Sequence, residues 1–139
     1  MRTRLRDMLL SDEGYRQRPY ICTSGALTVG IGRNLDAVGI SRDEAEYLLK
    51  NDIKRCETFL RDRFPWYDKL SEARQDVLIS MVFNLGMSGF LKFNAMITAL
   101  EQGNFWKAAD EMLNSLWAKQ VKGRAIRLAQ MMRSGNYES

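Results

Sequence analysis

A chain of 139 residues with 45% hydrophobic and 27% charged side chains has the size and balance of one globular domain that buries a core without metal or disulfide staples. It has no histidine, which excludes Ser-His-Asp and Cys-His chemistry and most catalytic zinc sites and leaves acid–base work to Asp and Glu, with Lys, Tyr or Cys as less usual candidates. The net charge of +4 suits an anionic partner such as nucleic acid or a bacterial envelope, although a solvated basic surface has the same composition.

In chain order, Leu5, Met8 and Leu9 recur at helical spacing over Arg2 to Asp12, with Gly14 as the terminator. Glu13 continues the row 5, 9, 13 and is expected to be partly desolvated at the end of an apolar stripe. Tyr20 to Ile31 reads as a β-hairpin turning at Thr23 to Ala26. Leu27, Val29 and Ile31 are expected to pack, with Thr28 on a bare, glycine-flanked face. Ser41 and Glu44 form a capping box opening a long helix that stops near Phe64-Pro65.

Ser71 caps a core helix carrying Val77, Leu78, Met81 and Val82, followed by a loop at Gly86 to Gly89. Further helices are expected at Phe90 to Leu100, at Phe105 to about Trp117 with Trp106 and Leu116 inward, and at Gly123 to Arg133. The fold class is α+β and predominantly helical. A small N-terminal lobe (about 1–40), a connecting helix (about 41–64) and a helical C-terminal lobe (about 65–139) make up one domain. No apolar run spans a bilayer and the basic N-terminus lacks an export h-region, so cytosolic synthesis is expected. Cys22 and Cys56 lack CxxC spacing, and Cys56 falls on an apolar helix stripe as a core residue.

The chemistry concentrates in "DEGYRQRPYICTSGALTVGIG". A glutamate beside an apolar stripe can remain a proton donor near neutrality, which is what a glycosidic leaving oxygen requires. A second group must then act across the scissile bond, and Cys22 and Thr28 are the candidates by position.

Glu13, eight residues, Cys22, five residues and Thr28, with the "TVGIG" strand, resemble the signature of the T-even bacteriophage lysozymes, muramidases of glycoside hydrolase family 24. "SRDEAEYLLKNDI", "MVFNLGMSGF" and "WAKQVKGRA" extend the resemblance over nearly the whole chain. It implies a two-lobed lysozyme-like fold, no cofactor and no metal, and hydrolysis of the β-1,4 bond between N-acetylmuramic acid and N-acetylglucosamine. Glu13 matches the general acid and Thr28 the residue that helps to place water. Asn34, Phe83, Asn84, Gln120 and Arg124 match substrate-binding or cleft-support positions. Arg33 stands where many relatives have histidine and Asp52 matches that residue's partner, so an Arg33–Asp52 ion pair is expected.

Cys22 departs from the family, which usually has aspartate there, and three readings stand open. It is a thiolate favoured by Arg16 or Arg18 and acting as base or nucleophile, a neutral thiol that orients water, or a lost residue in a weakened enzyme. The resemblance also implies a monomer acting on peptidoglycan glycan strands, held in the host cytoplasm until a holin opens the membrane, with no nucleic-acid partner and no stable membrane insertion. The alternatives are an inactive peptidoglycan-binding relative and a basic helical DNA-binding protein. Against the latter, Asp110 and Glu111 oppose a phosphate backbone, and no helix rich in Asn, Gln and Arg follows the turn at Gly103.

Overall fold

The computed structural model describes residues 2–137. Its elements are α1 (Thr3–Glu13), a three-stranded antiparallel sheet in the order β1 (Arg16–Ile21), β2 (Leu27–Gly30) and β3 (Arg33–Asn34), then α2 (Arg42–Arg63), α3 (Glu72–Leu91), α4 (Asn94–Glu101), α5 (Phe105–Leu113), α6 (Leu116–Val121) and α7 (Gly123–Ser134). This is the helix-dominated α+β class. Residues group into two compact units, Met1–Leu48 and Leu49–Ser139, the division falling within α2.

In the first unit Thr28 is the buried residue among those described, and α1 buries none of its side chains. Polar bonding therefore carries much of its order. Tyr20 pairs with Thr28 and Ile21 with Leu27, while the β1–β2 register shifts between Arg16 and Tyr20. The Leu27 amide donates to Asp36 at 2.8 Å. At the start of α2 the capping box closes as its sequence requires: the Ser41 amide donates to Glu44 Oε1 at 2.8 Å and the Glu44 amide to Ser41 Oγ at 3.1 Å.

Two expectations for this unit are corrected. Thr28 is 3% exposed whereas Ile31 is 49% exposed, the reverse of the expected faces. Gly30 and Gly32 both have positive φ, so the chain leaves strand geometry around Ile31 and the period-2 alternation stops applying there. Glu13 is exposed, and Leu5 and Leu9 of the stripe it extends are exposed too. The helical spacing is real, but it does not desolvate the carboxylate.

The second unit holds the hydrophobic core, built from Leu60, Tyr67, Val77, Leu78, Met81, Phe90, Met96, Leu100, Met112, Trp117 and Met132. Truncating one of the fully buried members, such as Leu78 to alanine, costs about 2–5 kcal/mol by loss of transfer energy and cavity formation. Cys56 is buried there as a free thiol. The Ser71 side chain accepts from the Arg74 amide and starts α3.

The expected loop at Gly86 is instead a break inside α3, where Gly86 takes φ 78° and ψ 167° and the chain resumes helical geometry up to Leu91. The expected helix from Phe105 to Trp117 is divided at Asn114 and Ser115, because the Ser115 hydroxyl accepts the Ala118 amide and caps α6 afresh. Restarting the helix rotates its face, leaving Leu116 70% exposed and Trp117 buried. Trp106, expected inward, is 67% exposed because Ala108, Ala109 and Met112 form the buried face of α5. Among the described residues, no single helix is long and apolar enough to cross a membrane.

Candidate active site

Glu13 is the last residue of α1, and Gly14 ends the helix by donating its amide to Leu10 O at 2.9 Å. The glutamate side chain lies directly against Gly32. A Cβ placed on that glycine meets the Glu13 Cγ, Cδ and Oε2 atoms at 2.9 Å, and Gly32 has φ +70°. The "GIG" sequence therefore serves the carboxylate twice, by turning the chain and by leaving the space that the side chain fills.

Cys22, Ser24 and Thr28 come together because the hairpin turn is tight. The Cys22 amide donates to the Ala26 carbonyl at 3.0 Å and the Gly25 amide to the Cys22 carbonyl at 2.9 Å. The Thr28 hydroxyl donates to the same Ala26 carbonyl at 2.9 Å, so one acceptor ties the backbone of Cys22 to the side chain of Thr28. Cys22 Sγ lies 3.0 Å from Ser24 Oγ.

The thiol is pulled down to about 7, first by the Ser24 hydroxyl, then by the Thr28 hydroxyl and the backbone around Ala26 and Ser24. Local hydrogen bonds thus replace Arg16 and Arg18 as the source of acidity; Arg16 instead lies over the Tyr20 ring, 4.6 Å from its centroid. Thr28 has a single hydroxyl proton, now given to Ala26, and turning it onto a thiolate would leave that carbonyl with the Cys22 amide alone.

Arg33 forks onto Glu44 at 2.8 and 2.5 Å and donates to the Gly39 carbonyl at 3.0 Å. Asp52 is paired with Arg55, three residues along α2. The expected Arg33–Asp52 pair is therefore corrected at both ends. Glu44 is already oriented toward this position by its capping-box bond, and the Arg33 guanidinium holds its carboxyl down at about 2. Asn34 accepts the Ala37 amide at 2.9 Å and so shapes the turn that follows β3.

In the second unit Asn84 is exposed and accepts the Trp117 indole N–H at 2.8 Å. Trp117 and Gln120 line a cleft of about 400 Å³ together with Leu85, Phe93, Glu111 and Asn114. Phe83, half-exposed, lines a separate groove with Cys56, Val82 and Met87. Arg124 is exposed on α7. The first unit thus brings Cys22 to Thr28, pairs Thr28 with Asn34 and sets Glu13 against Gly32, and the second brings Asn84 and Gln120 around Trp117.

Sequence reading did not single out Ser24 as the partner of Cys22, Glu44 as the partner of Arg33 or Trp117 as the partner of Asn84. The signal for Ser24 was its i+2 position after the cysteine in a turn, where a side-chain hydroxyl commonly bonds locally. Among the described residues, no cluster of three His, Cys, Asp or Glu side chains could hold a metal ion.

A family model for phage lysozyme matches residues 11–134. The chain is 30% identical to the pre-baseplate central spike protein Gp5 of Enterobacteria phage T4 over 96% of its own length, but it spans only 28% of that protein. It is 27% identical to a probable T4-type lysozyme of Dictyostelium discoideum, with 94% of each chain covered. It is 31% identical to the endolysin of Salmonella phage P22, over 90% of this chain and 88% of that one. With the family's model covering nearly the whole chain, this protein belongs to the phage lysozyme family, whose enzyme class is glycoside hydrolase.

Proposed function

We propose that the protein is a muramidase that cleaves the β-1,4 bond between N-acetylmuramic acid and N-acetylglucosamine in peptidoglycan. Glu13 is the general acid that protonates the leaving oxygen. Cys22, as thiolate, takes a proton from the attacking water, and Thr28 positions that water. The observation that carries this reading is the hairpin turn that sets Cys22 Sγ 3.0 Å from Ser24 Oγ beside the buried Thr28, hydrogen bonding that lowers the thiol to about 7. A base whose pKa lies near the working pH is both available and strong enough to accept a proton, which restores much of what the usual aspartate supplies. Asn34, Phe83, Asn84, Gln120 and Arg124 bind the glycan or support those that do. The protein acts as a monomer without cofactor or metal.

The biological setting in this proposal is host lysis: the enzyme waits in the host cytoplasm and reaches the wall when a holin permeabilises the membrane. The likeness to a phage spike protein supports a second setting, in which the same chemistry acts from the virion. Mass spectrometry of purified virions separates the two.

The decisive experiment is digestion of purified peptidoglycan by the parent and by Glu13→Gln, with mass analysis of the new reducing ends. The parent is expected to release fragments ending in reducing N-acetylmuramic acid, and Glu13→Gln to release almost none. Equal cleavage by both removes Glu13 from the mechanism. Binding without cleavage by the parent identifies an inactive relative, and salt-sensitive binding to duplex DNA in its place supports the nucleic-acid reading.

A further inference from the structure

Trp106 is a large aromatic side chain that neither the core nor the candidate active site uses. It sits in the first turn of α5, two residues after its cap Asn104, and is 67% exposed. Its orientation is not left to chance. The Arg133 guanidinium from α7 lies 5.3 Å from the indole centroid, and Arg133 is itself held by a 2.8 Å bond to Asp110 on α5. Arg133 Nε is buried without a hydrogen-bond partner and was the one such side-chain atom found among the described residues. The arrangement therefore retains a fixed aromatic plate against a pinned cation, with a buried donor left unsatisfied beside it.

We propose that Trp106, with Asp110 and Arg133, forms an accessory glycan-binding platform that tethers the enzyme to insoluble cell wall, a reading that rests on peptidoglycan as the substrate. The chemistry selects an uncharged, hydroxyl-rich ring. Asp110 and Arg133 neutralise each other, so the patch does not favour a strongly charged partner. Hydrogen-bonding capacity remains in the second oxygen of the exposed Asp110 carboxylate and in the guanidinium N–H groups other than the buried Nε. An indole face carries partial negative charge and meets the weakly positive axial C–H groups of a pyranose. Size decides against a protein partner. Trp106 is flanked by exposed polar residues, Asn104, Lys107 and Asp110, and a single plate falls far short of the ~1,000 Å² that a specific protein interface buries.

The test uses full-length protein carrying Glu13→Gln, so that bound wall is not digested, with and without Trp106→Ala, in co-sedimentation with purified sacculi. Trp106→Ala in the otherwise wild-type chain is then assayed on intact sacculi and on short soluble peptidoglycan fragments. The platform predicts about three- to tenfold weaker sedimentation, the range for losing one aromatic stack, with a matching loss of rate on sacculi and rates on soluble fragments within about twofold. Trp106→Phe is expected to restore part of the binding, and Asp110→Lys to weaken it independently. Unchanged sedimentation, an equal loss on soluble fragments, or a change in oligomeric state with Trp106→Ala would each overturn the proposal. If the parent cleaves neither substrate, the muramidase reading fails, while sedimentation still decides the platform.

Discussion

Replacing Ser24 with alanine removes the strongest single influence on the Cys22 thiol without touching the sulfur. In the parent the thiol is near 7, so about half of it is thiolate at pH 7; an ordinary thiol near 8.5 would be only about 3% ionised. Full loss of the local hydrogen bonds would thus lower the thiolate fraction about 15-fold at pH 7. Ser24→Ala alone leaves the Thr28 and backbone contributions in place and is expected to lower it several-fold. The assay is the pH dependence of alkylation at Cys22, followed by intact mass.

Cys56 supplies an internal control, because burial pushes its thiol upward and slows its reaction. Ser24→Ala should move the alkylation midpoint upward and shift the rising limb of peptidoglycan hydrolysis by the same amount, and Thr28→Val should produce a smaller shift of the same sign. An unmoved alkylation midpoint refutes the electrostatic account of the turn. A midpoint that moves while the activity profile stays put refutes the thiolate as base and leaves the neutral, water-orienting thiol.

The Glu44 carboxyl is held at about 2 in the folded chain against roughly 4.3 for an unperturbed glutamate, so its pairing with Arg33 stabilises the fold above the unfolded value and is lost as pH falls from about 5 toward 2. Acid titration followed by circular dichroism should show this limb in the parent and a reduced one in Glu44→Gln. Gly32→Ala puts a Cβ 2.9 Å from the Glu13 carboxyl group at a positive φ; it should cost about 1–2 kcal/mol in chemical denaturation and reduce hydrolysis more than Gly25→Ala, whose new Cβ meets nothing. Lys122 adopts φ 52° and ψ −115° between α6 and α7, a conformation that glycine takes without strain, so Lys122→Gly should raise stability by about 1 kcal/mol in the same measurement.

Local chemistry is legible in the sequence itself. The Ser41–Glu44 box, the Ser71 cap, the hairpin turn and the glycine stop at position 14 depend on neighbours within a few residues, and each is found where its residue types require it. The spacing of Glu13, Cys22 and Thr28 likewise points to the reaction class, because a family signature is a property of the chain. Absence of histidine narrowed the chemistry further, by elimination.

What needed tertiary structure was every statement about environment. Helical spacing placed Glu13 on an apolar stripe, but burial depends on what a stripe packs against, and α1 buries none of its side chains. Leu116 fitted the inward face of one long helix until the Ser115 cap restarted it and rotated the register, and Trp106 fell off the face that Ala108, Ala109 and Met112 bury. Arg33 could have met either of two acids, and the turn before α2 brought it to the one already fixed by its cap. For Cys22, the sequence by itself identified the atom that replaces the usual carboxylate; its acidity came from a hydroxyl two residues away, because only the folded turn brings Ser24 Oγ to the sulfur. Periodicity and signatures are written along the chain, whereas solvent exclusion and hydrogen-bond partnership arise only when distant segments compete for the same space.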